Sequence, residues 1–172
     1  MRKAICVLFT AVFVWLAVGV AAAEPAAAFG QRASESTLLD LINHARTKRG
    51  LAALRLNAAL DRAALSHSRE MLSHGWFSHL SIGGGGYCGR LRRTGYSRNG
   101  YRSWAVSEVI GRGAGARGTP RAVFTSWMRS SYHRSVLLGK RWRDVGLGVA
   151  SGRFRGLSGS VLFTVDPGRR TK

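Results

Sequence analysis

Few residues of this chain have both a reactive side chain and a sequence context that indicates a catalytic or metal-binding role. The sequence has 8 acidic residues and 5 histidines. One of the acids, Glu108, lies inside an apolar segment, where a carboxylate needs a partner. Imidazole nitrogen and carboxylate oxygen suit zinc binding or acid–base catalysis. The sequence has no HExxH zinc helix, no phosphate-binding glycine loop ending in Lys-Ser/Thr, and no GxSxG elbow.

A second chemical signal is a run of arginines interleaved with aromatic residues. Three tyrosines and five arginines form it: Tyr87, Tyr96, Tyr101, Arg90, Arg92, Arg93, Arg98 and Arg102. In an intracellular protein this pattern would indicate nucleic acid. In an exported protein it favours an anionic envelope surface, such as lipid headgroups or acidic wall polymers. The alternative is a solvated arginine-rich face without a partner.

The N-terminus has the pattern of an export signal. Arg2 and Lys3 precede the apolar stretch Ala4–Ala23, which ends in three alanines. This predicts a signal peptide over residues 1–23, with a second candidate cleavage site after Ala28. The stretch is also long enough to remain as an uncleaved anchor. In either case the rest of the chain lies outside the cytoplasm, secreted, periplasmic or anchored, and intracellular nucleic acid is excluded as a partner.

Length and composition indicate one folded, strongly basic domain. The 172 residues include 27 Lys+Arg against 8 Asp+Glu, a formal charge of +19, and 45% are hydrophobic. Such a chain can bury a core and is not a disordered basic tail. Its 2 cysteines exclude a disulfide-dense mini-protein and a four-cysteine zinc site. Without the signal only Cys88 remains, which is expected to be a buried or inert thiol, with an intermolecular disulfide as the alternative.

The elements that would position these residues are helices early in the chain and strands late. Apolar periodicity and capping residues predict three helices, over 34–50, over 57–75 and over Arg121–Arg129. Strands are expected at Leu51–Leu56, Trp104–Ile110, Val145–Ala150 and Ser160–Val165. Glycine-rich loops or turns are expected at Ser81–Gly86, Gly111–Gly118 and Ser151–Gly159. This order favours an α+β fold over a doubly wound parallel sheet.

Five segments in order resemble the CAP superfamily, which comprises cysteine-rich secretory proteins, antigen 5 and pathogenesis-related class 1 proteins. They are Leu60-x3-Ala64-x2-His67-x3-Met71, Phe77-Ser78-His79, Val106–Gly111, Ser126–Leu137 and Asp144–Ala150. The resemblance is strongest to short, disulfide-poor bacterial members. It implies an α-β-α sandwich with a small antiparallel sheet between helices. The implied organisation is a linker over 24–33, a CAP domain over 34–166 and a tail over 167–172.

The resemblance also implies a cleft, lined by His79, Glu108 and His133, that in some family members holds a divalent metal such as zinc. The sequence departs from the family pattern here. Val109 replaces the usual Asn after the glutamate, and the second cleft glutamate of larger members is replaced by Arg129-Ser130. A plainer interpretation pairs Glu108 with an arginine and leaves the histidines as polar groups at the edge of the core.

The remaining histidines and tryptophans are interpreted as structural. His67 lies on the apolar face of a helix and is expected to be a hydrogen-bonded core residue, whereas His44 and His74 are expected at the surface or at helix ends. Trp127 and Trp142 are expected to anchor the core.

Three functions follow from these observations. The favoured one is an exported binding module that takes a small apolar or amphipathic ligand, such as a lipid, or an anionic surface, with no required cofactor. The first alternative is a metal-assisted or acid–base hydrolase that uses the His79, Glu108 and His133 cleft. The second is a cationic surface-binding or defence protein. The binding module is favoured over the enzyme because nucleophile and oxyanion-hole motifs are missing.

Overall fold

The computed structural model describes residues 26–172, so the signal peptide predicted over residues 1–23 lies outside the described residues. No helix within the described residues is both long enough and apolar enough to cross a membrane. The helices are α1 Ala26–Thr47, α2 Ala58–His74, α3 Tyr87–Arg93, α4 Pro120–Arg129 and α5 Ser131–Leu137, with a 3₁₀ helix at Gly115–Gly118. The strands are β1 Arg55–Leu56, β2 Ser103–Val106, β3 Val109–Ala114, β4 Asp144–Phe154 and β5 Leu157–Thr171.

The predicted capping residues mark both ends of α2 and the start of α4, whereas α1 runs from Ala26 to Thr47 and not over the predicted 34–50. The Asn57 side chain accepts hydrogen bonds from the first-turn amides of α2, and Gly75 ends that helix with φ 61°. Thr119 caps α4 ahead of Pro120. The short helices α3 and α5 were not predicted, because seven residues are too few to show a clear apolar period.

The strands form one sheet in the order β1-β4-β5-β2, with β3 pairing the first half of β5. The hairpin between β4 and β5 turns at Arg155-Gly156, both with positive φ, rather than over the whole predicted segment 151–159. The two strands are therefore longer than the pattern predicted.

Helices cover both faces of this sheet, as the resemblance implied. One face packs against α1, α4 and α5. The core between them is built from apolar side chains of these helices, of β4 and β5, and of the segment before β4, including Leu38, Ile42, Trp127, Leu137, Trp142, Val145, Leu147, Val149, Phe163 and Val165. The other face packs against α2. There Gly146 and Gly148 bring β4 so close that an added Cβ would lie 2.1 Å and 2.2 Å from backbone carbons of α2. The α+β sandwich is confirmed.

Several boundaries differ from the sequence predictions. The helix α1 begins at Ala26, inside the expected linker 24–33, and β5 extends to Thr171 through the expected tail 167–172, because its end pairs with β2. The strand expected at 104–110 is two strands, β2 and β3, separated by Ser107 and Glu108. The expected loop 111–118 is instead the rest of β3 followed by the 3₁₀ helix.

Candidate functional site

A buried carboxylate at the break between β2 and β3 organises the candidate site. Glu108 is 1% exposed. One of its oxygens, Oε1, lies 2.7 Å from Nδ1 of His79, and the other, Oε2, accepts a hydrogen bond from the Arg90 guanidinium. Nε2 of His67 lies 4.0 Å from Oε2. The strand break places this side chain in the interior, where both oxygens find cationic or polar partners.

The partners of Glu108 come from different elements of the fold. Arg90 lies on α3 and also donates to the backbone carbonyl of His79 at 3.1 Å and to Oγ of Ser81 at 3.0 Å. His67 lies on α2 and bonds the backbone carbonyl of Ser78 at 2.9 Å. The segment that carries His79 is therefore fixed by its backbone as well as by its imidazole.

A second buried acid lies beside this pair. Asp166 on β5 is fully buried, and neither of its carboxylate oxygens has a hydrogen-bond partner among the described residues. Burial and the neighbouring Glu108 raise the pKa of Asp166 well above its usual range, while Arg90 opposes the shift. Arg90 therefore lies within the electrostatic reach of two acids.

His133, the second histidine predicted for the cleft, does not bond Glu108 as His79 does. His133 lies in α5, half-buried, with its ring edge-on to Tyr132 at 5.6 Å between centroids. Burial, and then the charge of His79, lower the pKa of His133. In the described part of the chain it bonds neither Glu108 nor His79 through its ring.

His133 instead borders a cleft of about 800 Å³ between α4 and β3. Its floor is apolar and includes Phe77, Ile110, Val123 and Trp127. Its rim is basic, with Arg112, Arg117, Arg121 and Arg129, and its described lining contains no acidic side chain. Such a cleft suits a molecule with an apolar body and an anionic end.

The described side chains do not fit a bound metal. Among residues 26–172 no group of three or more His, Cys, Asp and Glu side chains is placed to hold an ion. Both oxygens of Glu108 already have partners, one of them the Arg90 cation that would repel a metal. The zinc interpretation is therefore not supported by this geometry. The plainer pairing of Glu108 with an arginine is present, together with its contact to His79.

The arginine run predicted as an anionic-surface site divides in two. Arg92, Arg93, Arg98 and Arg102 are exposed. Arg90 is 5% exposed and bonded to Glu108, so its assignment to that surface was wrong. The error arose because α3 was not predicted, and its helical period turns Arg90 inward while its neighbours face solvent.

Other single-residue predictions can be compared directly. His67 is buried and hydrogen-bonded, as predicted, and His44 and His74 are exposed. Trp127 and Trp142 are buried in the core, also as predicted. Cys88 was expected to be a buried or inert thiol; it is exposed, so the buried alternative was wrong and an inert, exposed thiol stays a prediction.

Sequence reasoning missed three members of this site: His67, Arg90 and Asp166. His67 was assigned to the core alone, although it also contacts Glu108. Asp166 carried a usable signal, because it follows an apolar strand segment in the same way as Glu108. Arg90 carried none, since one buried arginine in an arginine run looks like its neighbours.

Comparison with known proteins agrees with this architecture. The family model described as CAP, cysteine-rich secretory protein family, matches residues 39–165. The chain belongs to this family. The Bacillus subtilis (strain 168) protein named uncharacterized membrane protein YlbC is 33% identical to it over 121 residues. That match covers 69% of this CAP chain but only 32% of YlbC, so the chain spans about a third of that relative.

Solved structures share the CAP fold. An extracellular protein containing an SCP domain from Bacillus anthracis str. Ames superposes with TM-score 0.68 at 22% identity, over 83% of this chain and 41% of that one. An outer surface protein from Borrelia burgdorferi gives TM-score 0.67 at 17% identity, over 81% of this chain and 95% of that one. At these identities the likeness shows the fold alone.

Proposed function

We propose that this protein is an exported CAP-domain binding module whose cleft holds a small amphipathic molecule with an anionic end. The observation that carries the proposal is the cleft of about 800 Å³ with an apolar floor and a rim of four arginines. An alkyl chain would bury apolar surface against Val123 and Trp127. A carboxylate or phosphate would take charge-assisted hydrogen bonds from the rim.

Export is proposed on two independent grounds. The N-terminal sequence has the charge and apolar pattern of a signal peptide. Proteins of the same fold carry the descriptions extracellular and outer surface. The domain would then be secreted, periplasmic or held outside the cell by an uncleaved anchor.

Titration calorimetry with dodecanoate and dodecanol tests the cleft. Dodecanoate is expected to bind about tenfold more tightly, because its carboxylate gains hydrogen bonds that the alcohol cannot make with the same strength. Ala122→Phe fills the cleft from α4 and should abolish binding of both. Ala33→Phe adds the same ring to an exposed site on α1 and serves as the control. Equal binding of dodecanoate by both variants would contradict the proposal.

A second candidate, acid–base hydrolysis, is favoured by one feature of His79. Its Nδ1 is held by a buried carboxylate, while its side chain is 43% exposed, so Nε2 is available to accept a proton. Nitrophenyl ester hydrolysis that is lost in His79→Ala but kept in His44→Ala would support this candidate. His44 is an exposed histidine on α1 and is a matched control.

A further inference from the structure

The exposed apolar side chains of this protein are concentrated on one part of its surface. Seven large hydrophobic residues are exposed among the described residues, and four of them fall within the seven residues 76–82 that follow α2: Trp76, Phe77, Leu80 and Ile82. A fifth, Leu157, is 59% exposed at the tip of the β4–β5 hairpin. Clustered exposed apolar residues indicate an interaction surface, whereas scattered ones do not.

Direct contacts join the loop 76–82 to the hairpin tip. Nε of Arg155 donates to the backbone carbonyl of Gly75 at 2.7 Å, next to Trp76. The Arg112 guanidinium lies 5.4 Å from the ring centre of Phe77 and 5.5 Å from that of Phe154. Phe154 pairs with Leu157 across the hairpin. We call this surface, made of Trp76, Phe77, Leu80, Leu157, Arg112 and Arg155, the hairpin face.

The charge of the hairpin face is positive. Arg112 and Arg155 are exposed; Arg112 lies over the ring of Phe77, and Arg155 lies over the ring of the buried Phe154 beneath this face. Together with Arg117 they border a groove of about 700 Å³ beside the hairpin, whose described lining contains no acidic residue. Proteins that bind the surface of anionic bilayers present exposed aromatic and aliphatic side chains beside arginines. Tryptophan in such proteins lies at the level of the lipid headgroups.

We infer that the hairpin face docks on an anionic lipid bilayer, with Trp76, Leu80 and Leu157 entering the interface and the arginines contacting headgroups. This surface differs from the exposed arginines of the run 92–102, which lack a comparable apolar cluster. Phe77 and Arg112 also line the cleft, so its mouth adjoins the docking surface. Docking does not depend on the proposed cleft ligand, and the two can fail separately.

Co-sedimentation with vesicles of phosphatidylcholine containing about a third phosphatidylglycerol tests the inference. The wild-type protein, cleaved of the predicted signal peptide over residues 1–23, should bind these vesicles and not pure phosphatidylcholine. Arg155→Gln should weaken vesicle binding about fivefold, since an arginine near an anionic surface contributes about that factor. Leu157→Ser should weaken it about fivefold or more, because the apolar side chain that enters the interface is lost. The matched controls are Leu56→Ser, an exposed leucine on β1, and Arg49→Gln, an exposed arginine just after α1. Neither control should change binding.

A measurement on the wild-type protein after cleavage of residues 1–23, which removes Trp15, makes the test independent of these variants. Brominated acyl chains should quench tryptophan fluorescence on vesicle binding. Trp76→Phe should remove most of that quenching, because Trp127 and Trp142 are buried and Trp104 is half-buried. Absence of vesicle binding, equal losses in the test and control variants, or quenching that persists without Trp76 would each overturn the inference. Ala122→Phe should leave vesicle binding intact, which separates docking from occupation of the cleft.

Discussion

Replacing Arg90 by methionine should destabilise the protein far more than any surface arginine would. Methionine keeps most of the aliphatic volume but removes the cation that bonds Glu108 in the interior. The change also removes the donors to the His79 carbonyl and to Ser81. Removing one partner of a buried ion pair costs about 3–5 kcal/mol, because the other charge is left without its partner. We expect a loss in that range at pH 7.

The loss should also depend on pH. Arg90 lowers the pKa of Asp166, opposing the rise caused by burial and by Glu108. Without Arg90 the folded state holds the Asp166 proton more strongly, while the unfolded carboxyl ionises near pH 4. A raised folded pKa means that stability is lost as pH rises above the unfolded value. Because the wild-type Asp166 pKa is also raised, the deficit relative to wild type should grow only as pH exceeds that wild-type value, by at most about 1.4 kcal/mol per pH unit for one proton.

Urea unfolding followed by circular dichroism over a series of pH values from about 5 upward measures both effects. The matched control is Arg93→Met, an exposed arginine three residues further along the same helix, which should change the free energy of unfolding by less than about 0.5 kcal/mol. Equal, pH-independent losses in the two variants would show that Arg90 does not hold buried charge. The interpretation of the site would then be wrong.

Three further substitutions test the interior and the helix frame. Asp166→Asn should gain stability relative to wild type as pH rises from 5 to 7, because burial raises the Asp166 pKa and asparagine has no proton to lose; an unchanged difference would contradict this. Gly148→Ala should lower the free energy of unfolding by about 3 kcal/mol or more, since the new Cβ would lie 2.2 Å from the Ala64 carbonyl carbon. The control in the same urea experiment is Gly86→Ala, where a new Cβ would have no atom within 4 Å. Asn57→Ala should lower the free energy of unfolding by about 1 kcal/mol through loss of the α2 cap, measured by thermal unfolding.

Elements with local signals were predictable from the sequence. Asn57 and Gly75 mark both ends of α2, and the Thr119-Pro120 pair marks the start of α4. The lengths of β4 and β5 were not predictable, because both strands contain glycines and glycine in a sequence usually indicates a turn. Gly148 and Gly152 are paired strand residues, and Gly148 is required where α2 crosses β4. Tertiary packing, rather than local preference, decides those positions.

The candidate site was predictable only in part, and for a related reason. Glu108 could be found from one sequence alone, since a carboxylate in an apolar segment requires a partner. That partner is Arg90 because α3 orients its side chain inward. The seven residues of α3 show no clear apolar period, so this orientation could not be predicted from the sequence. The resemblance supplied His79, whose contact with Glu108 is present. It also supplied His133, which lies at the cleft without bonding the pair.

The interior network also accounts for how an apolar surface loop keeps its shape. The loop 76–82 packs few of its own large side chains, since four of them are exposed. Hydrogen bonds from neighbouring side chains hold its backbone instead. His67 bonds the Ser78 carbonyl and Arg90 bonds the His79 carbonyl. The Glu70 carboxylate accepts a hydrogen bond from the Ile82 amide. Polar bonds to buried and half-buried residues thus replace the apolar packing that would otherwise order such a loop. The Glu108 network therefore has a structural role that does not require catalysis, because it holds the loop 76–82, which contributes Phe77 both to the cleft and to the hairpin face.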